Sequence, residues 1–83
     1  MADNLREQLR AIIAEVGELD DAGRITDDAL LIDDLGLDSM LTLEIVIEVE
    51  RRFDIAVPEE RLQEVRSLGD MVRLAAELGL TTE

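Results

Sequence analysis

One short run in the middle of the 83-residue chain contains the residue types that could take part in chemistry, Asp34-Leu35-Gly36-Leu37-Asp38-Ser39-Met40. Ser39 offers a hydroxyl, and Asp34 and Asp38 offer carboxylates. A serine hydroxyl is a poor nucleophile without a positioned base. The sequence contains no His, Cys or Lys, which removes the Ser-His relay, the thiolate nucleophile and the Schiff-base amine. Most self-contained catalysis is therefore excluded, and we expect that the chain is not an enzyme.

The net charge of the chain limits the kinds of molecule that it can bind. The chain has 21 Asp and Glu against 8 Arg, a net charge of -13, which opposes binding to nucleic acid or to anionic lipid. Basic protein surfaces are the expected partners. No signal peptide or membrane span is visible in the sequence, and no acidic pair has the spacing of a calcium-binding loop. We therefore expect a cytoplasmic, monomeric protein without a metal site that contacts neither nucleic acid nor membrane.

The elements that must position this run are predicted to be helical, because apolar residues recur at helical intervals. A first helix is predicted to start near Asp3 or Asn4 and to stop at Gly17. A second helix covers residues 39–53. Asp38 is well placed to cap its first turn by accepting backbone N–H bonds.

A long acidic loop, residues 18–38, is predicted between these two helices. It carries eight acids against the single Arg24. Scattered apolar residues are expected to anchor it to the core: Ile25, Leu30, Leu31, Ile32, Leu35 and Leu37. A loop of this length inside a compact domain is uncommon and often functional.

Two further helices complete the prediction. Pro58 opens a short helix that ends near Glu64 or the residue after it. Ser67 has capping-box spacing to Asp70 at the start of a last helix that stops near Gly79. The fold class is therefore predicted as all-α, a small bundle of three main helices plus one short helix, in a single domain over residues 1–83.

The second helix is apolar over a wide arc, and a projection at about 100° per residue separates two sides. The inner side is predicted to hold Leu43, Val46, Ile47, Val49 and Phe53. The outer side is predicted to hold Leu41, Glu44, Glu48 and Arg51. Leu41 is therefore expected to be exposed between charges, as a candidate contact for a partner. Met40 and Met71 are expected to fill the core, with Met40 near its edge and able to contact partners.

The run around Ser39 resembles the acyl carrier protein family, whose members carry a D-S-[LM] element at the start of their second helix. The likeness covers most of the chain: an amphipathic first helix, a long acidic loop, DLGLDSM, a helix running into FDIAVPEE, and RSLGDMVRL at the entry to the last helix. The spacing from Glu44 to Phe53 and the I-x-V-P pattern at Ile55–Pro58 fit the same family.

This resemblance implies that Ser39 carries 4′-phosphopantetheine through a phosphodiester, and that the thiol of this arm holds acyl groups as thioesters. A separate phosphopantetheinyl transferase, presenting coenzyme A and a metal ion, would supply the activation that the chain lacks. The resemblance also implies that Asp38 helps the transferase to recognise the site.

The family places partner-facing acids along the second helix. Basic patches of ketosynthase, acyltransferase or acyl-activating enzymes are thus expected to dock on a surface formed by Met40, Leu41, Glu44 and Glu48. The residues alone favour a solvated helix face for the two acids, since Glu48 lies four residues before Arg52, a favourable helical pair.

Two departures from the family pattern bear on the pathway. Leu41 stands where carriers of fatty-acid synthesis commonly have an acid, and Arg51 and Arg52 stand where they have further acids. We therefore favour a carrier in polyketide or related specialised biosynthesis. A start at Met1 and an end just past the last predicted helix favour a free-standing carrier. Fatty-acid synthesis and aminoacyl or peptidyl carriage are the alternatives within the class. An unmodified acidic helical adaptor acting through Leu41, Glu44 and Glu48 is the alternative from another class.

Overall fold

The computed structural model describes residues 4–80 and contains three α-helices, α1 (Asn4–Gly17), α2 (Ser39–Phe53) and α3 (Leu68–Glu77). Two 3₁₀ helices, Ala22–Arg24 and Glu59–Glu64, lie in the connections. The predicted all-α fold is confirmed, and within the described residues β-type pairing is limited to one antiparallel bridge from Leu30 to Ser67. None of the described helices is long and apolar enough to cross a membrane.

The predicted boundaries agree closely with those observed. α2 covers the predicted residues 39–53, α1 ends at Gly17, and the second 3₁₀ helix ends at Glu64. α3 ends two residues before Gly79, whose φ of 104° turns the chain away from the helix. Asp3, the alternative start of α1, lies outside the described residues.

The core forms where α1 packs against both α2 and α3. Each helix turns one apolar face inward, as the 3.6-residue period requires. The buried helical residues are Leu5, Leu9, Ile12, Ile13, Ile45, Val46, Val49, Leu68, Met71, Leu74 and Ala75. Direct contacts between α2 and α3 are few. A small apolar cavity lies between them, lined by side chains of α2, of α3 and of the segment that joins them.

The long loop is held on the bundle by both side chains and backbone. Its buried side chains are Ile25, Leu31 and Leu37. The Leu31 N–H donates to the Arg66 carbonyl (2.9 Å), and the Gly69 N–H donates to the Asp27 carbonyl (3.1 Å). The lack of a side chain at Gly69 matters, because a Cβ there would lie only 3.1 Å from that carbonyl oxygen. The loop is therefore part of the packed fold, as predicted.

Two of the predicted anchors do not reach the core. Leu30 is 38% exposed and Ile32 is 51% exposed, on either side of the buried Leu31. Successive side chains in a non-helical segment point in different directions, so burial of Leu31 turns its neighbours outward. The expectation that Leu30 and Ile32 anchor the loop is therefore wrong.

The orientation of α2 also differs from the prediction. Its buried residues are Ile45, Val46 and Val49. Leu41 is half-buried and packs against the core, one turn before Ile45, so the expectation of an exposed Leu41 is wrong. Leu43 and Ile47, predicted to face inward, are exposed. The apolar arc of α2 is wider than the surface that packs against the bundle. The side with Leu41 and Ile45 is packed, and the side with Leu43 and Ile47 is left exposed.

Met40 lies on this uncovered side of α2. It precedes Leu43 by three residues and Ile47 by seven, which places the three side chains on one helical face. Met40 is 71% exposed, whereas Met71 is buried. The expectation of a core role is therefore confirmed for Met71 and wrong for Met40.

Candidate functional site

Ser39 is the first residue of α2, and Asp38 fixes the turn that presents it. The Leu41 N–H donates to Asp38 Oδ1 at 2.8 Å. The Asp38 carbonyl accepts the Thr42 N–H (3.0 Å) and the Thr42 hydroxyl (3.1 Å). The predicted capping role of Asp38 is confirmed, and its carboxylate is directed at the helix backbone.

The residues before Asp38 fix the approach of the chain to α2. The Leu30 N–H donates to Asp34 Oδ2 at 2.8 Å, which closes the preceding turn. Gly36 has a φ of 76°, in the left-handed region that favours glycine. Leu37 is buried, and Leu35 packs against the core. The run around Ser39 therefore consists of residues that build the turn, with the serine left at its outer end.

The hydroxyl of Ser39 is accessible. The residue is exposed, and its side chain has no hydrogen-bond partner among residues 4–80. The neighbouring Asp34 and Asp38 carboxylates accept backbone N–H groups. At the first turn of a helix, free N–H groups and the helix dipole favour a bound anion by roughly 0.3–1 kcal/mol. Ser39 is therefore open to an external reagent and suited to carry a phosphate.

A groove of about 300 Å³ opens beside Ser39. Its walls come from the loop, from α2 and from the segment that precedes α3. The residues that line it with Ser39 are Ile32, Thr42, Leu43, Val46, Leu62, Gln63, Val65 and Arg66. A second depression of about 250 Å³ shares Ile32, Thr42, Val65 and Arg66 with it. Ser39 is therefore part of the wall of a mostly apolar groove.

The two predicted docking acids differ in their surroundings. Glu44 is exposed and has no ion pair within the described part of the chain. Glu48 Oε2 accepts a hydrogen bond from Arg52 Nε at 2.7 Å, and Arg51 lies 3.9 Å from its other oxygen. The Arg52 hydrogen bond lowers the pKa of Glu48, and the nearby guanidinium charges lower it further. Glu48 is thus an ionised carboxylate whose charge is compensated by neighbouring arginines, whereas the Glu44 carboxylate has no ion-pair partner among the described residues.

Arg52 also connects two helices. Its Nη2 donates to Glu15 of α1 at 2.7 Å, and its Nε donates to Glu48 of α2 at the same distance. The hydrogen bonds to Glu15 and Glu48 raise the pKa of Arg52 above its usual value. The carboxyl-terminal half of α2 is therefore engaged in pairs within the bundle.

Sequence reasoning missed the contribution of Thr42 and Arg66 to the site. Nothing in the local pattern brings residue 66 close to residue 39, since their proximity depends on the path of the 54–67 segment. The hydrogen bond from the Leu31 N–H to the Arg66 carbonyl holds the end of this segment against the loop. No cluster of acids within residues 4–80 has the geometry to hold a metal ion.

Comparison with known proteins identifies the family. The family model described as "Phosphopantetheine attachment site" matches residues 7–75. An acyl carrier protein of Akkermansia muciniphila is 42% identical over 73 residues, which cover 87% of this chain and 90% of the relative. The polyketide-8 synthase acyl carrier protein 2 of Streptomyces avermitilis is 39% identical over 77 residues, which cover 92% of this chain and 87% of the relative.

The fold comparison agrees. A solved structure from Mycobacterium tuberculosis, described as an acyl carrier protein, superposes with a TM-score of 0.80 at 32% identity. The alignment covers 88% of this chain and 96% of that one. Fold and family match together define a small helical carrier protein, of a class that works with synthase and transferase partners.

The chain belongs to the acyl carrier protein family, whose prosthetic group is phosphopantetheine, and it is a carrier and not an enzyme. The residues observed here fit that group. An accessible hydroxyl at a helix start suits a phosphodiester, and the adjoining groove suits a flexible chain extending from it.

Proposed function

We propose that Ser39 is the attachment site of 4′-phosphopantetheine, and that residues 1–83 form one acyl carrier domain acting in the cytoplasm. The observation that carries this proposal is the accessible Ser39 hydroxyl at the start of α2, beside the groove. The other serine is unsuited to the role. Ser67 is buried, and its hydroxyl accepts the Asp70 N–H at 3.3 Å as the cap of α3.

The attachment reaction requires a second protein. The Oγ of Ser39 bonds to the pantetheine-bearing phosphorus of coenzyme A, while the bond from that phosphorus to adenosine 3′,5′-bisphosphate breaks. The hydroxyl proton passes to a base on the transferase, because neither Asp34 nor Asp38 makes a hydrogen bond to the Ser39 hydroxyl. When bound, the group supplies the thiol that holds acyl cargo as a thioester. This chain's own residues hold the serine outward and provide the groove.

Intact-mass measurement after incubation with a phosphopantetheinyl transferase and coenzyme A tests the proposal. Wild type and Ser67→Ala should each gain one phosphopantetheinyl group, and Ser39→Ala should gain none. Ser67→Ala is the matched control, because it removes the only other serine hydroxyl. An unmodified wild type, or equal modification of Ser39→Ala, would reject the site. An unmodified wild type that still binds partners would favour the acidic adaptor.

We further propose that the cargo belongs to polyketide or related specialised biosynthesis. Arg51 and Arg52 support this, since they make the carboxyl-terminal half of α2 less acidic than is common in fatty-acid carriers. The similarity to a relative named as a polyketide synthase carrier is in keeping with it. Competing transfer assays with polyketide, fatty-acid and aminoacyl loading enzymes should give the highest kcat/KM with the polyketide enzyme. Preference for either other class would reassign the pathway.

The proposed docking surface combines the predicted residues with those found exposed. Met40, Leu43 and Ile47 form an exposed apolar face of α2 beside Ser39, and Glu44 adds a free carboxylate. Glu48 contributes less, because its charge is compensated within the bundle. Half-buried Leu41 lies at the edge of this surface. Suitable partners are a transferase, a ketosynthase or an acyltransferase with an apolar pocket next to basic residues.

A further inference from the structure

One cation lines the groove that begins at Ser39. Among the residues that form its walls, Arg66 alone carries a charge. Arg66 also lines the adjoining depression, so the residue is shared by the two. A guanidinium has no favourable contact with an alkyl chain, whereas it binds phosphate or carboxylate oxygens through paired N–H donors.

The backbone of Arg66 is held in place. Its carbonyl accepts the Leu31 N–H at 2.9 Å, and its N–H donates to Asp70 Oδ2 at 3.1 Å. These bonds tie the residue to the loop on one side and to the first turn of α3 on the other. The position of the Arg66 backbone at the wall of the groove is therefore set by the fold.

The guanidinium of Arg66, in contrast, is weakly engaged. Its Nε lies 3.7 Å from Asp70 Oδ2, beyond hydrogen-bond distance, and the side chain is 73% exposed. Asp70 is already occupied, since it accepts the Arg66 N–H and pairs with Arg73 at 3.1 Å. Arg52 and Arg61 differ, because each binds two carboxylates at 2.7 to 2.8 Å. Arg66 therefore has donors to offer an incoming anion.

A phosphodiester on Ser39 would need such a partner. Its negative charge would lie next to the carboxylate of Asp38, on a chain of net charge -13. The first-turn N–H groups offset only part of this repulsion, because the Leu41 N–H is already bound to Asp38.

We propose that the Arg66 guanidinium binds the phosphodiester carried by Ser39 and holds the prosthetic arm along the groove. This inference rests on the proposed attachment at Ser39. It assigns to Arg66 a positioning role: the arm starts from a defined direction and does not leave the surface freely. The anionic oxygens of the phosphodiester are the ligand, and the guanidinium N–H groups are the donors.

Nuclear magnetic resonance of the modified protein tests the proposal directly. The holo protein contains one phosphorus atom, so its ³¹P resonance reports the phosphodiester alone. In wild type, conversion from apo to holo should shift the Arg66 Nε–H signal. In Arg66→Gln, the ³¹P resonance should move and its transverse relaxation should slow, as expected for a more mobile phosphate. Arg66→Lys should give an intermediate ³¹P position, because it keeps the charge and loses the paired donors.

Arg24→Gln is the matched control. Arg24 is exposed and lies outside the groove, and its guanidinium has no partner among the described residues. The substitution should leave the ³¹P signal unchanged. Identical ³¹P position and relaxation in wild type and Arg66→Gln would overturn the proposal. A shift of Arg66 Nε–H that occurs only after malonyl loading would also overturn it, because the bound anion would then be the cargo carboxylate. Intact mass separates these results from failure of the Ser39 site, which would leave no phosphorus on the protein.

Discussion

At the residue scale, Asp38 has one observed role, as a helix cap, and one proposed role, in recognition by the transferase, and the structure allows the two to be separated. Its carboxylate caps α2 through the Leu41 N–H, and the family resemblance gives it a part in recognition by the transferase. An asparagine caps a helix about as well as an aspartate, whereas an alanine does not cap it. The charge and the cap can therefore be removed independently.

The two substitutions should behave differently. Asp38→Ala should lower the free energy of unfolding by about 1 kcal/mol, because the first-turn N–H loses its acceptor. Asp38→Asn should keep most of that stability, measured by chemical denaturation, and should still slow loading of Ser39 by the transferase. If the transferase loads Asp38→Asn at the wild-type rate, the charge of Asp38 has no part in recognition and the residue serves only as a helix cap. Equal stability of Asp38→Ala and wild type would contradict the capping energy.

The two acids of α2 provide a second test at this scale. Glu44 is free, whereas Glu48 is bound to Arg52. Glu44→Gln should therefore reduce kcat/KM for the transferase by several-fold at low salt, and Glu48→Gln should reduce it less. The difference should shrink as salt screens the charges. If the two substitutions reduce kcat/KM equally at all ionic strengths, pairing with Arg52 does not weaken the contribution of Glu48 to transferase binding.

At the scale of elements, the loop of residues 18–38 is the least regular part of the fold and still contributes to the core. Leu31 is 1% exposed, and its neighbour Ile32 is 51% exposed. Truncation of the buried side chain removes core contacts and leaves a cavity, while truncation of the exposed one does neither.

This pair gives an internal control for anchoring of the loop. Leu31→Ala should lower the free energy of unfolding by about 2–5 kcal/mol, enough to threaten a domain of this size. Ile32→Ala should change it by less than about 0.5 kcal/mol. Urea denaturation followed by circular dichroism measures both. Similar losses for the two variants would mean that the loop does not anchor through Leu31.

The sequence predicts some properties of an element better than others. The bounds of α2 follow from local signals, because Asp38 caps its start and the apolar period runs to Phe53. Its orientation does not follow, since apolar residues surround most of the helix and only contact with the bundle selects Ile45 and excludes Ile47. The position of Ser39 at the start of α2 was predictable from the motif. The groove beside it was not, because its far wall is built by residues 62–66, whose placement is set by tertiary contacts.

At the scale of the whole molecule, the net charge of -13 acts on a body of only 30 × 29 × 20 Å. The screening length is about 30 Å at 0.01 M salt and about 10 Å at 0.1 M. At the lower salt concentration every acid therefore repels every other acid across the fold, and at the higher one only neighbours interact. Such self-repulsion opposes the compact state.

The fold should consequently become more stable as salt is added. Asp20, Asp28 and Asp33 allow this to be tested, because they are exposed and make no hydrogen bond or ion pair within residues 4–80. Their combined replacement by Asn should raise the free energy of unfolding by on the order of 1 kcal/mol at 0.01 M salt and by much less at 0.5 M.

Arg24→Gln serves as the control of opposite sign. It removes an exposed cation without a described partner, so it should lower stability at 0.01 M salt and have little effect at 0.5 M. Denaturation curves of the three proteins at both salt concentrations decide the matter. If the Asn variant and Arg24→Gln shift in the same direction, local effects of substitution outweigh long-range repulsion. If they shift in opposite directions and converge at high salt, the net negative charge of the chain limits its stability.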